Sequence, residues 1–273
     1  MNILEKFITL THTTMQEPSL FGWFHLLGLA IVITVAILVG VKCKKLSDKG
    51  YKKVLLITGL TLIGFEILKQ LNFAYEPSTD TWEYAWKQFP FQFCSVPMYI
   101  MVIVGLLKDC KLKDYLCTFL ATYGLFAGGI VMLVPTTVLS DIIFRTSHSL
   151  LYHGTMLVIG VITIVSGKVK VEKTTILKAI PVFGVCVLIA FSMNIIFHLS
   201  GNDASFNMFY IGPYSGSDIP VLSNIGDALN IDADYLHFGN FVFIFLYTIA
   251  FSIAAFAVSM ITLLIKKLNK KTA

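Results

Sequence analysis

Seven long apolar segments constrain this chain more than any other feature. Each is close to the roughly 20 residues that an α-helix needs to cross a bilayer. Of the 273 residues, 56% are hydrophobic and only 14% are charged, whereas a soluble domain carries about a quarter charged residues. We therefore predict an all-α membrane protein, a seven-transmembrane-helix bundle that forms a single integral membrane domain over residues 1–273. The predicted helices are about 21–41, 54–74, 89–107, 115–136, 148–167, 175–198 and 237–265.

Charge placement predicts the orientation of this bundle. Most of the 21 basic residues lie in segments 42–53, 108–114, 168–178 and 266–271, which follow alternate helices. By the positive-inside rule the N-terminus is outside and the C-terminus inside, as an odd number of spans requires. The charge of +5 is confined to these loops, so we expect no nucleic-acid partner. Lysine outnumbers arginine 20 to one, and we expect a multi-pass protein of a bacterial cytoplasmic membrane.

The connection at residues 200–235 is the longest predicted outer loop. It contains no lysine or arginine, and its aspartates are Asp203, Asp218, Asp227, Asp232 and Asp234. Long loops often act as lids or binding segments. Because this one also holds Tyr210, Tyr214, Pro213 and Pro220, we predict that it is partly ordered and covers the outer face. A flexible acidic connector is the alternative.

Prolines and glycines predict local features of the helices. Pro97 and Pro181 fall inside predicted spans, and each should kink its helix because proline lacks a backbone N–H. Gly124 and Gly128 are four residues apart in the fourth helix. Small residues at this spacing allow a neighbouring helix to approach closely.

Polar residues concentrate in the outer half of the predicted bundle. Such groups within a membrane are energetically costly and usually face the bundle interior or a wet cavity. We therefore predict one polar pocket that faces outward. Its candidate residues are His25, Glu66, Lys69, Gln70, Gln92, Cys94, His148, His153, Asn194, His198, Asn207, His237 and Asn240.

Glu66 and Lys69 are the charged members of this set. They are three residues apart, with Gln70 following, so all three share one helix face. A carboxylate and an ammonium group at this spacing either neutralise each other to hold helices together or line the pocket. The pattern leaves both interpretations open.

Three chemistries fit the predicted pocket. Cys94 could act as a nucleophile with His153 as its base, since a thiol needs a neighbouring base or cation to react; alternatively, Cys94 is a small packing residue. Several histidines with a carboxylate could hold zinc, but the HExxH pattern is missing, and we expect no metal or other cofactor. Buried polar residues also occur along transport pathways, so a non-enzymatic binding protein or transporter stays open.

Several segments resemble a known family in order and spacing. FPFQFCSVPMY resembles the Pro-Leu-His-Leu-Cys segment of the YwaF-type bacterial integral membrane proteins, and ATYGLFAGGIVMLVP resembles their Trp-Gly-Leu-Ala-Gly helix. SLLYHGTMLVIG is similar to their His-Gly helix, FNMFYIGP to their Asn-Tyr-Met-Tyr-Leu segment, and PSLFGWFHLLGL to their start, with a histidine at His25. These proteins in turn resemble the transmembrane protein 164 family.

The resemblance implies phospholipid acyl transfer. It makes Cys94 the acyl acceptor and His153 the general base, and it places Gln92 where the family has a histidine. Membrane lipids are then the expected partners, with a phospholipid or another small molecule as substrate. The leading hypothesis is a phospholipid acyltransferase or lipid hydrolase. A binding protein or transporter, and a metal-dependent membrane hydrolase, are the alternatives.

Overall fold

The chain folds almost entirely into α-helices, which confirms the predicted class. A computed structural model describes residues 2–201, 206–217, 219, 221–233 and 235–271, with side chains up to Leu268. Two short strands, β1 Tyr75–Glu76 and β2 Thr81–Trp82, pair antiparallel after the third helix. The helices are α1 Ile3–Thr11, α2 Trp23–Lys42, α3 Asp48–Ala74, α4 Val96–Leu106, α5 Lys111–Phe119, α6 Leu125–Leu133, α7 Ile143–Val165, α8 Ile176–Leu199, α9 Leu222–Ala228 and α10 Phe238–Lys271.

Six helices in the described part of the chain are long and apolar enough to cross a membrane. They overlap six of the seven predicted segments to within three residues at the predicted ends that they do not cover, so a multi-pass membrane protein is confirmed. A π-helical turn, Leu120–Gly124, joins α5 and α6 into one of the six. The spans are Trp23–Lys45, Asp48–Ala74, Lys111–Leu133, Ile143–Val165, Ile176–Leu199 and Phe238–Leu268.

The predicted segment 89–107 differs, because only Val96–Leu106 is helical. Eleven residues rise about 16 Å, which is short of a bilayer core. Residues 89–95 instead form turns, and Tyr99 donates a hydrogen bond of 2.8 Å to the Pro90 carbonyl. The kink expected at Pro97 is wrong, because Pro97 lies in the first turn of α4, where a helix needs no backbone donor. Pro181 does lie inside α8.

Short α4 nevertheless runs antiparallel to α3. A Cβ on Gly59 would lie 2.9 Å from the Met98 carbonyl oxygen, and one on Gly105 would lie 3.0 Å from the Leu56 backbone. Glycine at both contacts lets the two backbones meet. The chain therefore turns back after α3, as it does between the longer helices.

Ion pairs gather at the opposite end of the bundle from β1 and β2. Asp48 at the start of α3 binds Lys113 of α5 and Lys168 after α7, both at 2.7 Å. Lys178 of α8 binds Asp114 of α5 at 2.6 Å. These contacts place the starts of α3, α5 and α8 and the end of α7 on one side, so the helices alternate in direction.

An aromatic cluster fills the bundle core. Phe93, from the irregular segment 89–95, lies at its centre. Tyr123 projects from the π-helical turn and stacks on Phe183 at 4.5 Å between ring centroids. The rings within 6.4 Å of Phe93 are Phe119, Tyr123, Phe183, Phe209 and Phe251.

Phe209 belongs to the predicted outer loop, which turns back into the bundle. Phe206, Met208 and Phe209 are each less than 9% exposed. Non-helical backbone at membrane depth is tolerated only where protein or a wet cavity surrounds it. Residues 202–205, 218, 220 and 234 of the predicted loop, which include Asp203, Asp218, Pro220 and Asp234, lie outside the described residues.

Close packing of α6 on α7 depends on Gly128. A Cβ there would lie 2.6 Å from both the His153 carbonyl oxygen and the Leu157 nitrogen. Gly124 has no such contact, since its nearest neighbour would lie at 3.8 Å. The predicted close approach therefore holds at one of the two glycines.

Candidate functional site

Glu66 is the centre of a buried polar cluster. Its side chain is 4% exposed, and one carboxylate oxygen, Oε1, binds Lys69 Nζ and Gln70 Nε2, each at 2.7 Å. Both partners come from the same helix face, at i+3 and i+4. A carboxylate this deeply buried is stable only when it is paired and hydrogen-bonded, and α3 supplies both partners itself.

A second layer covers this pair from the side of β2. Gln70 also donates to the Gln88 carbonyl at 2.6 Å, and the Tyr84 hydroxyl donates to Gln70 Oε1 at 2.8 Å. Burial, followed by the nearby Glu66 carboxylate, raises the pKa of the Tyr84 phenol. Tyr84 therefore stays neutral and keeps the proton that it donates to Gln70.

Helix α7 brings two unpartnered polar atoms to the cluster. His148 Nε2 lies 3.9 Å from Glu66 Oε2, too far for a direct hydrogen bond. The His148 ring stacks on Tyr152, with 5.3 Å between centroids. Both side chains are buried, and neither His148 Nε2 nor the Tyr152 hydroxyl has a hydrogen-bond partner among the described residues. Such atoms are costly to bury and need an explanation, such as a water molecule or a ligand.

Cys94 joins the cluster from the irregular segment before α4. The Cys94 thiol is close enough to Lys69 and Glu66 to interact electrostatically with both side chains, and it also interacts with the Tyr152 hydroxyl. Cys94 is partly exposed, whereas Cys117 and Cys186 are buried. Among the five cysteines, Cys94 is therefore the partly exposed residue that lies beside the buried Glu66–Lys69 pair.

His153 faces away from His148 on α7, as their spacing of five predicts. Its Nδ1 lies 2.8 Å from the Ser149 carbonyl oxygen. Because a carbonyl oxygen only accepts, Nδ1 carries the proton, and the neutral ring then has its lone pair on Nε2. In the described part of the chain, the Cys94 thiol and the His153 ring are not hydrogen-bonded to each other. Tyr152, the residue before His153 on α7, has its ring centroid 6.3 Å from that of His153.

Gln92 and Asn194 bind the re-entrant backbone. Gln92 donates to the Asn207 carbonyl at 2.9 Å and accepts from the Phe209 N–H at 2.8 Å. Asn194 makes the same two bonds with the backbone of Met208. The two carboxamides thus provide hydrogen-bond partners for backbone groups that no helix or strand satisfies. The Gln92 bonds also place residues 207–209 beside the Cys94 segment.

Asn207, Asn240 and His237 hold the rest of the outer connection. Asn207 accepts from the Gly212 N–H at 2.8 Å and donates to the Gly216 carbonyl at 2.9 Å. Asn240 donates to the Ile231 carbonyl at 2.9 Å, and His237 Nε2 lies 2.8 Å from the Asn230 oxygen. These three side chains order the loop, and none of them belongs to the Glu66 cluster.

His25 and His198 lie elsewhere. His25 Nε2 donates to the Met132 carbonyl at 2.9 Å and so ties α2 to α6, whereas Nδ1 accepts from the Phe21 N–H at 3.0 Å just before α2. His198 is exposed and stacks on Tyr214 at 3.7 Å. The thirteen predicted residues therefore divide into the Glu66 cluster, a loop-binding group, His153 on another face of α7, and these two outliers.

The sequence pattern missed Tyr152 and Tyr84. Tyr152 follows His148 by four residues, so helical spacing alone was a signal that it shares the His148 face. Tyr84 lies in a short polar connection that carries no periodic pattern. Among the described residues, no group of three or more His, Cys, Asp or Glu side chains is placed to hold a metal ion.

Comparison with known proteins gives one match. The TMEM164 family model matches residues 20–263, which include α2 to α9 and most of α10. No curated protein and no solved structure matches the chain. The matched stretch contains every member of the Glu66 cluster. It also contains the irregular segment 89–95 and the backbone of residues 207–209, which meet where Phe93 contacts Phe209. The chain therefore belongs to the TMEM164 family.

Proposed function

We propose that this protein is a lipid acyltransferase of the bacterial cytoplasmic membrane that carries the acyl group on Cys94. The observation that supports it is the position of Cys94, a partly exposed residue beside a buried Glu66–Lys69 pair and the unpartnered atoms of His148 and Tyr152. Buried charges and unpartnered polar groups that converge within a membrane mark functional sites. Membership of the TMEM164 family adds support.

The proposed topology has seven crossings. Helix α4, together with residues 89–95, forms the third crossing, since it runs antiparallel to α3 between the two ends of the bundle. The Asp48 ion-pair end, rich in lysine, faces the cytoplasm, and the Glu66 end faces outward. The N-terminus is then outside and the C-terminus inside.

The proposed reaction has two steps. His153 Nε2 takes the Cys94 proton, and the thiolate attacks the carbonyl carbon of a phospholipid ester. The C–O bond breaks, and the leaving alkoxide takes the proton from His153, which leaves a thioester on Cys94. In the second step His153 takes the proton of an acceptor hydroxyl, which attacks the thioester and breaks the C–S bond. The released Cys94 thiolate then takes this proton from His153, which restores the neutral pair. Water as acceptor gives hydrolysis instead.

Supporting roles follow from the contacts. The Tyr152 hydroxyl, which lies near Ser95 and has no hydrogen-bond partner among the described residues, donates to the oxyanion that forms during attack. Lys69 supplies positive charge near the thiolate, and Glu66 holds Lys69 in place. Gln92, which binds the backbone of residues 207–209 through both ends of its amide, positions the Cys94 segment.

Intact-protein mass spectrometry tests the thioester. The purified protein is incubated with mixed phospholipids and analysed before and after neutral hydroxylamine, which cleaves thioesters. We expect a fatty-acyl mass increase that hydroxylamine removes, absent from Cys94→Ala and present in the matched variant Cys186→Ala, whose thiol is buried in α8. Full lipid turnover by Cys94→Ala would contradict the mechanism. Solute flux across proteoliposomes without any change in the lipids would favour a transporter.

A further inference from the structure

A long apolar groove lies between α2 and α3 with α7 as its floor. Its volume is about 390 Å³, within the range of small-molecule sites. It extends along α7 from Ser147 to Ile162, a distance of about 22 Å at 1.5 Å per residue. One leaflet of a bilayer core is only about 15 Å thick. The groove is therefore long, narrow and parallel to the spanning helices.

The packing of α2 keeps this groove open. Helices α2 and α3 are consecutive, yet each packs on α7 and they hardly touch one another. A Cβ on Gly154 would lie 2.4 Å from Val32 Cγ2, and one on Gly28 would lie 3.0 Å from Leu150 Cδ1. These contacts hold α2 against α7, and the space beside α3 stays unfilled.

The groove wall shows what chemistry it accepts. Leu27 and Ile31 of α2 line it and are 52% and 55% exposed. They belong to the span Trp23–Lys45, which has a mean hydropathy of 2.6, so hydrocarbon surrounds them in a membrane. The hydroxyl of Thr155, also in the wall, donates to the Leu151 carbonyl at 2.7 Å. The groove thus suits a saturated or unsaturated chain and offers little to a polar ligand.

The outer end of the groove reaches the Glu66 cluster. Ser147 and Leu151 line the groove, while their neighbours His148 and Tyr152 belong to the cluster. Successive residues on a helix point about 100° apart, so groove and cluster occupy adjoining faces of α7. A lipid with its chain in the groove would present its ester close to His148 Nε2 and the Tyr152 hydroxyl.

We propose that this groove binds one acyl chain of the phospholipid substrate and thereby selects chain length. The selection of chain length rests on the proposed acyl transfer. Binding of the chain can be measured separately, without turnover. Chains that exceed the groove would displace the ester from the cluster, whereas chains that fit would hold it in place.

Photo-crosslinking tests chain binding directly. Cys94→Ala protein in proteoliposomes receives phosphatidylcholine with a diazirine in mid-chain, and crosslinked peptides are mapped by mass spectrometry. We expect adducts concentrated on the groove residues of α2, α3 and α7. Adding Thr58→Phe, which fills the groove from α3, should abolish them. The control Ile57→Phe changes the neighbouring residue, which is 53% exposed and does not line the groove, and should leave them unchanged.

The same two substitutions in protein that keeps Cys94 test selection. Thr58→Phe should shift the thioester adducts to shorter chains, and Ile57→Phe should not. Adducts spread evenly over all lipid-facing helices would contradict chain binding in the groove. Equal loss of adducts in Thr58→Phe and Ile57→Phe would contradict it as well. Groove adducts without any thioester would overturn the acyl-transfer reaction and leave chain binding intact, so the two failures are distinguishable.

Discussion

Asn194 binds both backbone groups of Met208, accepting from its N–H at 2.7 Å and donating to its carbonyl at 3.0 Å. This relationship fixes a segment in which Phe209 and Tyr210 have positive φ angles of 61° and 55°. Left-handed backbone at non-glycine residues is strained and persists only where its surroundings hold it. Asn194 and Gln92 supply that hold.

Asn194→Leu should release this segment. Two buried backbone groups would lose their partners, at a cost of about 1–3 kcal/mol each. We expect a lower Tm in detergent and faster hydrogen exchange at residues 206–213. Leu188→Ala on the same helix, at a side chain that is 63% exposed, should change neither. Unaltered exchange in Asn194→Leu would show that other contacts hold the segment.

Tyr152→Phe should separate stability from reaction. The hydroxyl has no hydrogen-bond partner in the described part of the chain, so its removal should leave the Tm unchanged or raise it slightly. Loss of an oxyanion donor costs about 10²–10³-fold in rate, and thioester formation should slow by that order. Mass spectrometry over time measures the rate. A variant with the wild-type rate would remove Tyr152 from the mechanism.

The Glu66–Lys69 pair should respond asymmetrically to mutation. Glu66 is 4% exposed and Lys69 is 16% exposed, so a lone lysine can extend toward water more easily than a lone carboxylate. Breaking a buried pair costs about 3–5 kcal/mol, and we expect Lys69→Met to lower the Tm more than Glu66→Gln. The double variant should recover part of the loss, and purely additive losses would show that the two side chains are not coupled.

Gly128→Ala should disturb α7 at His153. The added methyl group would lie 2.6 Å from the His153 carbonyl oxygen, so α6 and α7 must separate, and both the Tm and acyl transfer should fall. Gly129→Ala is the matched control, because its nearest neighbour would lie at 4.0 Å. Alanine is favoured over glycine in a helix by about 0.5–1 kcal/mol, so the control should be neutral or stabilising. Equal effects would exclude the packing explanation.

Cysteine labelling tests the orientation. Cys110 is exposed and precedes α5, at the lysine-rich end of the bundle. An impermeant maleimide should reach it only after the cells are permeabilised. A cysteine at Thr79, in the turn between β1 and β2, should react in intact cells. The reverse pattern would invert the proposed topology.

The long helices follow directly from the apolar segments, because length and composition alone determine which stretches can span a bilayer. Residues 89–95 are as apolar as their neighbours, so hydropathy could not distinguish this irregular stretch from a helix. Pro90 within this stretch and Pro97 just after it were the available signal. Helix α1 is absent from the predicted segments because nine amphipathic residues fall well short of a span.

The site was predictable where its contacts are local. The Glu66–Lys69 pair follows from a spacing of three on one helix. In contrast, Gln92 binds backbone more than a hundred residues away, and nothing near it in sequence indicates this partner. Depth alone grouped His25 and His198 with the cluster, because two side chains at equal depth can point to opposite sides of a bundle.

The short helix α4 has a consequence for biosynthesis. Eleven helical residues make a weak signal for membrane insertion, and the segment before them is held by Gln92 bonds to residues 207 and 209. Those partners are translated only after four further helices, α5 to α8, have been synthesised. We expect α4 to reach its final position late, so that the Cys94 site is completed as one of the last steps of assembly and a truncated chain stays inactive.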